Sequence, residues 1–203
     1  MTGGYSRPEH ELLFERATRD WREVLAEVRR RGDWLASRLE TSDVSLHGLF
    51  VAGLNCAQSA YHEDHDGHFR GLLPSGDAEL QPVATLPCDA YWCAQALLPF
   101  QPEMVREEIL TLARAVHGDG QLARGVRIEP RGDSLDWGDL ACDSPSYFAM
   151  LLHDYLAWTD DREILDVREG GHTVWEKAQA CVNYLRGLDT DHDMLFEKRR
   201  DQS

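Results

Sequence analysis

Residues 89–118, DAYWCAQALLPFQPEMVREEILTLARAVHG, contain two helical patterns and the break between them. In DAYWCAQALL the apolar side chains fall on nearly every face, which suits a helix surrounded by protein. Pro99 and Pro102 interrupt it, and Pro102 fits a first helical turn, where its missing N–H leaves nothing unsatisfied. The second pattern, PEMVREEILTLARAVHG, is apolar on one side and polar on the other, with Gly118 placed as a C-cap. The pair predicts a hairpin of an inner helix followed by an outer one.

The same rhythm continues on both sides. Asp119 to Cys142 carries Gly, Asp and Trp137 and reads as an irregular loop. Asp143 then opens DSPSYFAMLLHDYLAWTDD, apolar on most faces. A turn at 161–166 and an amphipathic helix from Thr173 to Leu188 follow. Upstream, apolar positions from Pro8 to Leu39 recur at helical spacing, with a break expected near Gly32. Thr41, Ser42 and Asp43 are suitable caps for a second helix reaching Tyr61. Between these halves, residues 62–87 read as a long polar loop with one short strand, of a length that usually serves a function. The expected class is all-α: stacked helical hairpins joined by long irregular loops. All 203 residues are expected to form one domain, with a first hairpin at 1–62, a loop at 63–88 and the motif-bearing hairpins at 89–203.

Composition narrows the partners. A hydrophobic fraction of 42% supports a packed core, so the net charge of −15 belongs to the surface. Such a surface repels phosphate backbones and anionic headgroups, which argues against nucleic acid and membrane partners and leaves neutral sugars unaffected. Five cysteines without a CxxC pair indicate neither a disulfide framework nor a zinc ribbon, so a cytoplasmic location is expected. The first residues lack an apolar signal region, and no stretch is apolar enough to span a bilayer. Lysine occurs only at Lys177 and Lys198, a trait without functional weight. Nucleophile elbows, phosphate-cradling loops and dinucleotide fingerprints are absent, and no cofactor is implied.

Two aspartates stand where a loop becomes a buried helix. The ordinary role of Asp89 and Asp143 there is capping, worth about 0.5–2 kcal/mol. Their neighbours suggest more: Tyr91 and Trp92 follow the first, and Tyr147 and Phe148 follow the second, after a loop carrying Asp136, Trp137 and Asp139. Sugar sites combine carboxylates that accept hydroxyl hydrogen bonds with flat aromatic faces. His62, Glu63, Asp64, His65, Asp66 and His68 form a metal candidate, but no spacing fixes a third ligand and a solvated loop explains them, so no metal site is assigned. Asp189, Asp191 and Asp193 imitate the start of an EF-hand, yet Met194 stands where Gly is needed and Arg200 where a bidentate Glu is needed.

Three segments carry a resemblance: CDAYWCAQALLPFQPEMVREEILTLARAVHGDGQ (88–121), LDWGDLACDSPSYFAMLLHDYLAWTDDREIL (135–165) and LDTDHDMLFEKRRDQS (188–203). In this order they resemble the (α/α)6 six-hairpin glycosidases, closest to the amylo-1,6-glucosidase domain of glycogen debranching enzymes. The resemblance covers about the last 115 residues. It implies a partial (α/α)6 toroid, whose remaining half would be needed for closure. It also implies hydrolysis of an α-glucosidic bond in an oligo- or polysaccharide by an inverting acid/base mechanism. Asp89, Tyr91, Trp92, Asp136, Trp137 and Asp143 would line the glucose subsite. Many relatives carry Arg before the first Asp, where this chain has Cys88. The general acid is expected beyond Ser203, with Asp201 as the candidate inside the chain, so these residues alone are expected to be inactive. The alternatives are a trehalase-like member of the same superfamily and a non-catalytic helical solenoid in which both aspartates are only caps.

Overall fold

Prolines in the first turn of three helices and side-chain caps on two others mark helix starts in the computed structural model. It describes residues 18, 20–63, 69–73, 85–128, 134–140, 142–191 and 193, with the backbone alone at 127–128, 134–135 and 137–140. Its described part is mostly helical. Two units form, Met1–Gln58 and Ser59–Ser203.

The first unit holds α1 (Trp21–Ala36) and most of α2 (Val44–Ser59). Helix α1 runs through Gly32 without the expected break. The Asp43 carboxylate accepts the backbone N–H groups of Ser45 at 2.9 Å and Leu46 at 3.0 Å, which makes it the cap of α2. Arg31 Nε donates to Oε1 of the buried Gln58 at 2.7 Å, satisfying an amide that water cannot reach.

In the second unit, β1 (Tyr61–Glu63) and β2 (Arg70–Leu72) pair antiparallel. Helices α3 (Pro87–Leu97) and α4 (Pro102–Ala115) form the hairpin expected from residues 89–118. Next comes a departure from the sequence reading. The segment expected as irregular loop contains β3 (Ala123–Ile128) and β4 (Ser134–Leu140), an antiparallel hairpin with a register shift between Ala123 and Gly125. A single bridge between Thr85 and Val126 fastens it to the segment ahead of α3, so pairing from outside the hairpin helps to make the strand. Helix α5 (Ser144–Thr159) ends on Asp160, whose φ of 52° is left-handed. A 3-10 turn (Arg162–Asp166) and a short β5–β6 ladder (Arg168–Glu169 with His172–Thr173) then lead to α6 (Val174–Leu188). A reciprocal capping box between Thr173 and Glu176 starts this last helix.

The core lies among α3, α4, α5 and α6. Leu97, Val105, Ile109, Leu112, Phe148, Leu151, Ile164, Val174 and Leu188 are buried there, each worth about 1.5–3 kcal/mol of apolar transfer. Polar ties hold α4 to the α5–α6 connection. Asp161 Oδ2 accepts from Arg106 at 3.2 Å and from the Tyr155 hydroxyl at 2.7 Å, and Glu169 accepts from Arg114 at 3.1 Å. Gly120, at φ 88°, brings the chain against α6, where an added Cβ would sit 2.1 Å from the Ala180 carbonyl. Among the described residues, no helix is long and apolar enough to cross a membrane.

Candidate functional site

The N-terminal ends of α3 and α5 hold most of the residues singled out in the sequence. Pro87 starts α3, Leu86 occupies the cap position without a side-chain bond, and Asp89 falls in the first turn. Its half-buried carboxylate forms no hydrogen bond with a described residue. Asp143 does occupy the cap position of α5, yet its side chain accepts no capping hydrogen bond. Neither side chain makes a capping hydrogen bond, although both carboxylates sit where the helix dipole favours negative charge.

Aromatic side chains join the two helix ends. Tyr91, nearly buried, packs its ring 5.7 Å from that of Tyr147 at 47°, and Trp92 meets Tyr91 edge-on at 5.2 Å and 73°. Tyr147, an aromatic neighbour of Asp143 in the sequence, is thereby brought against the other helix end. Its phenol is held above its ordinary pKa first by a hydrogen bond to Cys88, with Asp143 a weaker contributor. Cys88, Tyr91 and Asp143 thus all act on one phenol. Trp92 is 64% exposed beside them, and Trp21, Trp158 and Trp175 are exposed as well.

Deeper along the same helices lies a link that the sequence reading missed. The Tyr91 hydroxyl and Gln95 Nε2 both donate to Asp154 Oδ2, at 3.1 and 3.0 Å, and His153 Nδ1 lies 3.0 Å from Oδ1. Burial opposes charge on Asp154, but the bonds from His153, Gln95 and Tyr91 outweigh it and hold the carboxyl below its usual range. Asp154 therefore orients Tyr91. The available signal was the i, i+4 spacing of Tyr91 and Gln95, which places both on one face of α3.

The β-hairpin contributes less directly. Asp136 pairs with Val126 across the ladder, and its Oδ2 lies 2.8 Å from His117 Nε2 at the end of α4. His117, at the surface, thus holds a carboxylate assigned to the subsite. Trp137 stands opposite Gly125 in β4, while its side chain, like Asp201, lies outside the described residues.

Elsewhere, oxygens of Asp189, Asp191 and Asp193 lie within 4.8 Å of one another, a set that could ligate a hard cation. Of the histidine-rich candidate, His62 sits in β1 beside Phe69 and Glu63 pairs with Arg70; Asp64, His65, Asp66 and His68 lie outside the described residues. An open cavity of about 330 Å³, lined by Arg162, Leu165, Asp166, Thr173 and Trp175, belongs to the connection between α5 and α6. It shares no residue with the aspartate-bearing helix ends. Comparison with family models, with curated proteins and with solved structures finds no match to this chain.

Proposed function

We propose that this chain forms a sugar-binding wall of a glycoside hydrolase of the glycogen-debranching or glucoamylase-like type, built as part of an (α/α)6 toroid. The observation that carries the reading is the pair of aspartates at the N-terminal ends of α3 and α5, whose side chains make no capping hydrogen bond, joined by Tyr91, Trp92 and Tyr147. Carboxylates left free of the backbone can accept sugar hydroxyls, and an exposed indole can cover the C–H face of a pyranose ring. The alternation of a loop-borne helix with an amphipathic partner, twice over, supports the toroid. In this reading α3 and α5 are inner helices, and α4 and α6 are outer ones. The reaction would be inverting hydrolysis of an α-glucosidic bond, with two carboxylates about 6.5–9.5 Å apart. No described residue is assigned as the acid or the base.

Calorimetric titration with maltooligosaccharides or a glucose-like iminosugar tests the proposal. Binding should occur and should be abolished by Asp89→Ala; binding that survives the substitution removes Asp89 from the site. The helical scaffold remains a second reading because Met150 and Trp158, at 44% and 61% exposure, offer apolar surface on α5. It requires that no sugar bind at all.

A further inference from the structure

Glu108 lies on the core face of α4 with Val105, Ile109 and Leu112 and is fully buried. Its Oε1 is 2.6 Å from the Thr85 hydroxyl, and its Oε2 accepts the Leu72 N–H at 2.7 Å. One turn later the Thr111 hydroxyl donates to the Arg70 carbonyl at 2.7 Å, so α4 grips β2 at two points. Between them the strand passes so close that a Cβ on Gly71 would meet Glu108 Oε2 at 2.5 Å. Thr85 in turn exchanges both backbone hydrogen bonds with Val126, at 2.9 and 2.8 Å, just ahead of the helix that carries Asp89. One carboxyl therefore joins β2, the segment leading to Asp89 and, through Val126, the strand paired with Asp136.

We propose that Glu108 is a proton-operated latch that ties β2 and the segment leading into α3 to helix α4, and thereby regulates the candidate sugar site. The regulatory part rests on the sugar reading above; the latch does not. Burial pushes this carboxyl up to about 7, against the opposing pull of its bonds to Thr85 and Leu72.

Among the described residues, no cation bonds to Glu108, and the surrounding charges are engaged elsewhere. On the strand side, Arg70 pairs with Glu63 and with Glu107 of α4. The Tyr61 phenol of β1 is raised first by its own burial and then by Glu107 and Glu63. Arg106 and Arg114 of α4 bond Asp161 and Glu169, Lys177 of α6 bonds the Val116 carbonyl, and Asp154 of α5 bonds Tyr91 of α3.

When protonated, Glu108 can donate from Oε1 to the Thr85 hydroxyl oxygen while Oε2 still accepts from Leu72, so both contacts persist without a buried charge. When ionised, it is a fully buried charge with two hydrogen bonds and, among the described residues, no counter-ion, and an opening that admits water becomes favourable. Because its pKa is higher closed than open, the latch is held shut at low pH and loosens as pH rises through the buried value.

Hydrogen exchange of the full chain, corrected for intrinsic rates, tests this at the Leu72, Thr85 and Val126 amides. Protection should fall at least about tenfold between pH about 5.5 and about 8.5, within the roughly 300-fold that the pKa gap permits. Glu108→Gln, which can donate to Thr85 and accept from Leu72, should remove this dependence. If that variant does not fold, Thr85→Val should keep the dependence and move its midpoint upward, since a bond favouring the ionised form is lost. Equal wild-type protection at both pH values overturns the latch, as does a Gln variant that keeps the fall. Maltooligosaccharide titration in parallel should show weaker binding at the higher pH. Unchanged affinity alongside falling protection overturns the regulatory role, whereas no binding at either pH refutes the sugar reading and leaves the latch standing.

Discussion

Replacing Glu108 with Gln should make the protein more stable at alkaline pH, although it deletes an acid engaged in two hydrogen bonds. The carboxyl titrates near 7 in the folded chain and near 4.5 in water. Folding therefore takes up a proton between those values. The stability contributed by the protonated group is complete below about pH 4.5, declines as pH rises to about 7, and stays lost above. A gap of about 2.5, at about 1.4 kcal/mol for each unit, corresponds to about 3 kcal/mol. Glutamine keeps the volume and the hydrogen-bonding pattern of the neutral acid and never ionises. Urea unfolding of both proteins at pH about 5 and about 8.5 measures the difference, in which every other titrating group cancels. The two should agree within about 1 kcal/mol at the lower pH, with the variant ahead by about 3 kcal/mol at the higher. A variant less stable than the wild type at the higher pH would show that the ionised carboxylate is a net stabiliser, and the desolvation argument would fail.

Three further substitutions test separate parts of the fold. Gly120→Ala meets both a φ of 88° and the Ala180 carbonyl, so it should cost more than about 2 kcal/mol and lower the melting temperature; an unchanged melt would refute the close approach. Thr173→Ala breaks the capping box of α6 and should cost about 1 kcal/mol in urea unfolding, with Glu176→Ala adding little more once the box is gone. Asp161 is held below its usual range first by the Tyr155 hydroxyl and then by Arg106, so its contribution is present at neutral pH and lost as pH falls into the acid range. Asp161→Asn should flatten that acid-side loss by about 1 kcal/mol or less, given its partial exposure, and an unaltered acid profile would remove the network from the ledger.

Helices were legible wherever local chemistry marked their ends. Pro102 opens α4, Asp43 caps α2, and Thr173 begins α6, because prolines and short polar side chains act within a few residues of themselves. The β3–β4 hairpin was not legible. ARGVRI mixes glycine and arginine with only two β-branched residues, and its outer partner, Thr85, is remote in sequence. Glu108 was hidden by its charge, although it follows Val105 by three residues and precedes Leu112 by four, squarely within the apolar stripe of α4. At the candidate site, residue type and position singled out Asp89, Tyr91, Trp92 and Asp143 as candidates. The contacts through Tyr147, Asp154 and His117 depend on how α3 meets α5 and where α4 ends, which no local pattern encodes.

Lys177 is an unusual lysine: its stem is buried in α6 and its Nζ donates to the Val116 carbonyl at 3.0 Å beyond the end of α4. Burial lowers its pKa only while it is covered; once uncovered it is an ordinary amine open to acylating reagents, whereas in the folded chain it is shielded from them. With only one other lysine in the sequence, at position 198, modification at Lys177 is readily resolved by peptide mass. The residue is thus a built-in chemical clock, and its rate of acylation reports how often α6 parts from the end of α4.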